Sequence, residues 1–172
     1  EDFEASMKVS ERTEIVRHRK ESAAELERCS AVAFAGGHAA VLLNRLTLFG
    51  IDTLIAHKPV FAWSAGAMAI TDRIVLFHDD PPQGQIALQI LDVGLGIVPN
   101  TVVFPNPERR LHLDVIERIA LMARRFAPAV CLVLPDRSYV TWTGASYGKT
   151  DGAVRLAENG AHVPFGPVRA FV

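Results

Sequence analysis

The sequence has little cysteine: two residues, Cys29 and Cys131, in a chain of 172. Two thiols are too few for a disulfide-stapled fold, and they show no metal-ligand spacing. Both stand in apolar or helical contexts, so both are expected to be buried thiols. A surplus of charge is lacking as well. Eighteen Lys and Arg stand against nineteen Asp and Glu, for a formal net charge of -1. No basic excess points to nucleic acid or to an acidic membrane surface. No apolar run reaches the ~20 residues that cross a bilayer. The first residues are charged from Glu1 and show no signal-peptide pattern. A reducing, cytoplasmic setting is therefore expected, with neither nucleic acid nor membrane as partner. What the chain does have is apolar content, 49% hydrophobic against 22% charged. That composition excludes a disordered chain. The length predicts one domain over 1–172 with a sizeable core.

Charge is densest at the start, where residues 1–28 carry eight acids and six bases. Most of 10–28 lacks Gly and Pro and reads as a surface helix. Ala31 to Ala35 is a short apolar strand that stops at Gly36-Gly37. Val41, Leu42, Leu46 and Phe49 recur at helical spacing, and Gly50 suits the end of that helix. Further apolar strands are expected at Pro59–Trp63, Arg73–Phe77, Val102–Phe104 and Ala129–Leu134. His78 to Gln85 reads as a loop. Asp114 with Glu117 looks like a capping box opening a helix that Pro128 ends. Ser138 to Thr143 alternates like a half-buried strand, and hairpins follow, with Glu158-Asn159-Gly160 as a turn. Strands alternating with helices imply an α/β domain: a mainly parallel sheet sandwiched by helices, with C-terminal antiparallel hairpins.

The most informative stretch is Ala62-Trp63-Ser64-Ala65-Gly66, a serine between a buried strand and a helix, with small residues two positions either side. A nucleophile elbow needs this arrangement, because the strained turn admits only small neighbours. The N–H of Ala65 is then the natural first donor to an oxyanion, and Gly36 or Gly37 supplies the second. The same serine also reads as an ordinary helix N-cap. The pattern alone leaves both open.

Ala35-Gly36-Gly37-His38, Trp63-Ser64-Ala65-Gly66-Ala67-Met68 and Gly94-Leu95-Gly96, in that order, resemble the cyanophycinase and aspartyl-dipeptidase family of serine peptidases. The resemblance spans roughly residues 30–160. It implies the class I glutamine-amidotransferase-like (flavodoxin-like) fold and a Ser-His-acid arrangement in which Ser64 is the nucleophile. It places the histidine after the Gly-Leu-Gly segment, where this chain reads Asn106. Asparagine is no general base near neutral pH. The acid of the family roughly matches Asp136, which is equally an ordinary turn residue.

Other imidazoles are candidate bases. His112 lies six residues beyond Asn106, and His78 stands beside Asp79 and Asp80. His38, directly after the glycine turn, is expected to contact ligand or act as base. Trp63, Arg109 and Arg110 are candidate substrate contacts, the arginines through a carboxylate. No histidine pair has zinc spacing, so no metal and no cofactor are expected.

The resembling fold begins with a strand and helix ahead of the Gly-Gly strand. Only a charged helix precedes it here, and the chain starts at Glu1 without methionine. A missing N-terminal part, or pairing between chains as a homo-oligomer, is expected. The functional expectation is a serine hydrolase acting through an acyl-enzyme on acidic or aspartyl peptides, with a small peptide or amide as substrate. The alternative is a catalytically impaired member of the fold that binds a ligand or partner, because Asn106 stands where the base belongs. An α/β-hydrolase esterase, with His162 as base, is a third reading.

Overall fold

The structure is a computed structural model that describes residues 7–76 and 89–166. After a 3-10 turn at Val9–Glu11, helix α1 spans Thr13–Arg28. Strand β1 (Val32–Phe34), α2 (Ala39–Leu48), the short α3 (Ile51–Leu54) and β2 (Val60–Ala62) follow. Helix α4 (Ala65–Ala69) leads to β3 (Arg73–Leu76), β4 (Gln89–Val93) and β5 (Thr101–Pro105). A 3-10 turn at Pro107–Arg109, α5 (Ile116–Phe126) and β6 (Val130–Leu134) come next. The chain ends in β7 (Tyr139–Trp142), β8 (Tyr147–Asp151), β9 (Val154–Leu156) and β10 (His162–Pro164).

The mixed α/β class is present. The expectation of a mainly parallel sheet needs correction. Among the described residues, parallel pairing is confined to β1 with β2 and β5 with β6, apart from an isolated bridge between Thr71 and Val98. Pairings β3–β4, β6–β9, β7–β8 and β9–β10 are antiparallel. One sheet runs β10-β9-β6-β5, and the other three are strand pairs. A short apolar run does not distinguish parallel from antiparallel pairing. In β4, Gln89 and Asp92 break the apolar pattern, and its pairing with β3 carries a register shift between Ile74 and Val75.

The core lies between α5, the β5–β6 pair and the elbow helix. Phe104 and Phe126 meet there at 6.3 Å, with Ile74, Val75, Ile119, Met122 and Val133 around them. Helix α5 has one apolar face because Ile119, Met122, Ala123 and Phe126 recur at 3.6-residue spacing. The capping box does not form. Helix α5 starts at Ile116 with Val115 at its cap and no side-chain cap bond. A turn closed by Val115 N–H to His112 O precedes the helix. That turn moves Asp114 off the cap position.

Helix α1 buries no residue fully. Polar contacts hold it to the domain: Arg19 Nε donates to Leu48 O at 2.9 Å, and Lys58 Nζ to Cys29 O at 2.8 Å. Cys29 is exposed, against expectation, because it caps the end of this peripheral helix. Cys131 is buried in β6, and burial pushes its thiol up to about 12. The β1–β2 pair is covered on one face only. Phe34 is buried beneath it, while Phe61 and Trp63 are 63% and 53% exposed on the other side. No helix among the described residues is long and apolar enough to cross a membrane.

Candidate functional site

Strands β1 and β2 run parallel, so Gly36-Gly37 and Ser64 leave the sheet at the same end. Trp63 N–H donates to Phe34 O, and Gly66 N–H to Ala35 O, each at 3.1 Å. These main-chain bonds lock the turn after β2 against the end of β1. A side chain at residue 66 is impossible in this geometry: an added Cβ would lie 2.2 Å from Phe34 O. The small residue two places after the serine thus answers a close approach of helix to strand.

Ser64 has φ 53 and ψ -124, a backbone conformation that side-chain-bearing residues rarely adopt. It holds the cap position of α4 yet makes no cap bond with its side chain. Its hydroxyl stands over Gly36, where an added Cβ would sit 3.1 Å from both Ser64 Cβ and Oγ. Ala65, as the first residue of α4, has no helical partner for its N–H. The Gly37 N–H, at φ 130, donates to no main-chain carbonyl among the described residues.

A cavity of about 180 Å³ opens at this turn. Gly37, His38, Ser64, Ala65 and Arg110 line it, with Met68, Val75 and Leu91 as its apolar wall. Arg110 follows the 3-10 turn after β5, so the second parallel pair contributes to the same cavity. The share of β4 in this wall, Leu91, escapes the sequence reading; its signal is the apolar character of residues 86–93, broken only by Gln89 and Asp92.

His38 caps α2, its Nδ1 accepting from Val41 N–H at 3.4 Å. A neutral ring held in this way carries its proton on Nε2. It therefore presents a donor, not a base, unless the cap bond is released.

Asn106 lies at the end of β5 in the left-handed region, with φ 53 and ψ 55, and Pro107 opens the following turn. Its N–H donates to Leu134 O at 3.2 Å. This bond ties it to the exit of β6, next to Pro135 and Asp136. Asp136 is exposed in a turn that Ser138 closes, with N–H and Oγ both donating to Pro135 O. His112 is exposed, its Nδ1 3.9 Å from Asp114 Oδ1. Trp63 is exposed on the bare face of β2 and does not line the cavity. His78 and the Arg109 side chain lie outside the described residues. His162 is in β10, in the other sheet.

The Gly94-Leu95-Gly96 segment braces the elbow helix from behind. Leu95 N–H donates to Ala69 O at 2.8 Å, and Gly96 N–H to Thr71 O at 3.1 Å. An added Cβ at Gly94 would lie 2.0 Å from Thr71 O. Among the described residues, no three His, Cys, Asp or Glu side chains gather as metal ligands would. No family model matches the chain, and no curated protein matches it either.

Proposed function

We propose that the protein is a serine hydrolase of peptide or amide bonds, with Ser64 as the nucleophile. One observation carries this reading: Ser64 is held at φ 53, ψ -124 while its hydroxyl caps nothing. A strained residue persists only where its surroundings over-determine it, and such strain gathers at functional sites. In the proposed reaction Ser64 Oγ attacks the carbonyl carbon and its proton passes to a base. The N–H groups of Ala65 and Gly37 receive the oxyanion. The amine leaves with the proton, and water then releases the acyl group. Arg110 would meet a substrate carboxylate through its guanidinium fork, which favours acidic peptides. His38 would donate from Nε2 to the bound carbonyl or carboxylate.

A second reading rests on Asn106. The end of β5 carries an amide where the resemblance puts the imidazole, and among the described residues no histidine hydrogen-bonds Ser64. On that reading the pocket binds acidic peptides or amides without turning them over. A fluorophosphonate probe together with an Asp-containing dipeptide separates the two. Labelling and turnover that both vanish in Ser64→Ala, with turnover falling on the order of 10³-fold or more, fit the hydrolase. Dipeptide binding without labelling or turnover fits the binding protein. Turnover unchanged in Ser64→Ala rejects the role given to this serine.

A further inference from the structure

A second cavity lies between the β7–β8 pair and the sheet that holds β6 and β9, away from Ser64. Its volume is about 520 Å³, within the range of small-molecule sites. Three aromatic side chains line it in series. Trp142 and Tyr147 meet edge-on at 5.0 Å, and Tyr147 and Phe165 at 4.9 Å. Tyr147 is held in place by a hydrogen bond between its hydroxyl and Thr101 Oγ1. The aromatic wall is therefore built by β7, β8 and the residue after β10, braced from β5, and is not a single loose ring.

One polar group at this cavity has no partner among the described residues. Arg155, on β9, lines the same cavity, is exposed, and pairs with no carboxylate among the described residues. An apolar aromatic wall and an unengaged guanidinium call for one kind of ligand. It has a flat apolar body and a negatively charged, planar acceptor group. Carboxylate matches the guanidinium fork in geometry and in charge.

We propose that the cavity bounded by Trp142, Tyr147, Phe165 and Arg155 is a binding site for a small aromatic carboxylate. It is distinct from the Ser64 cavity, with which it shares no residue. The ring of the ligand packs against the aromatic wall, and its carboxylate faces Arg155. The proposal stands whether or not Ser64 is catalytic.

Calorimetric titration of the full chain with phenylacetate tests it, with phenylacetamide and acetate as controls. Saturable phenylacetate binding below about 1 mM is expected, with both controls at least about tenfold weaker. Arg155 is an exposed strand residue, so Arg155→Gln should fold, and it should weaken phenylacetate at least about tenfold. Ser64→Ala should bind as the unaltered chain does. No saturable binding, binding indifferent to Arg155→Gln, or binding abolished by Ser64→Ala would each overturn the proposal.

Discussion

Strand β5 is buried at every residue from Thr101 to Pro105, whereas β2 leaves Phe61 63% exposed on its outer face. Both belong to parallel pairs, and both deliver residues to the cavity at Ser64. Their surroundings differ. The β5–β6 pair has α5 packed against it and β9 continuing its sheet. The β1–β2 pair packs Phe34 with residues of α2 and α4 on one side, and leaves Phe61 and Trp63 exposed on the other. Parallel sheets are usually covered on both faces. The strained serine thus sits on the thinly covered part of the molecule, and most of the stability should reside in the other part.

The sharpest way to break that contrast is to attack the thin part where its helix and strand approach each other most closely. Gly66→Val places side-chain atoms against Phe34 O, only 2.2 Å from where its Cβ must go. Neither main-chain element can yield, so a loss of more than about 4 kcal/mol or failure to fold is expected in urea denaturation. Phe104→Ala tests the thick part. Phe104 is 0% exposed and packs on Phe126, so the change should cost about 3–5 kcal/mol. A smaller effect separates the two thiols. Near neutral pH a thiol reagent should modify Cys29 quickly and Cys131 only after denaturation. Cys131 rises from an ordinary value near 9.0 to about 12 in the folded chain. The fold therefore favours the neutral thiol. Its contribution is complete below about pH 9 and is lost as pH climbs to about 12, where unfolded chains release this proton first. Cys131→Ala should flatten that alkaline fall in the urea midpoint. The smallest effect belongs to Phe61→Ser. Stability should change by no more than about 0.5 kcal/mol, and a larger loss would mean that the bare face is covered in solution.

The part that reads best from sequence is the part fixed by local main-chain geometry. The order strand, serine, small residue, helix at 60–69 is legible because each step constrains its neighbour. Ala62 and Gly66 betray the close approach before any coordinates exist. Likewise Gly50 and Gly160 take positive φ where helix α2 ends and the last hairpin turns. What depends on distant packing is not legible. The exposure of Cys29 follows from how α1 docks. The Asp114 capping box fails because a turn at His112 shifts the helix start. The contribution of β4 to the Ser64 cavity needs its pairing with β3. Trp63 adjoins the serine in sequence yet is exposed and does not line the cavity, a placement set by the turn after β2 and not by residue type.

Helix α4 has five residues, too few to hold together alone. It is gripped at its start by the carbonyls of Ala35 and Trp63, through Gly66, and at its end by Leu95, through Ala69. All of these are main-chain bonds, and apart from the glycine required at 66 none of them depends on a side chain of the turn. The shape of the elbow can therefore outlast its chemistry. Substitutions at 106, 110 or 38 can retune or silence the pocket over many generations while the serine keeps its posture. A lineage carrying such a turn retains the starting geometry for regaining an activity that it has let lapse.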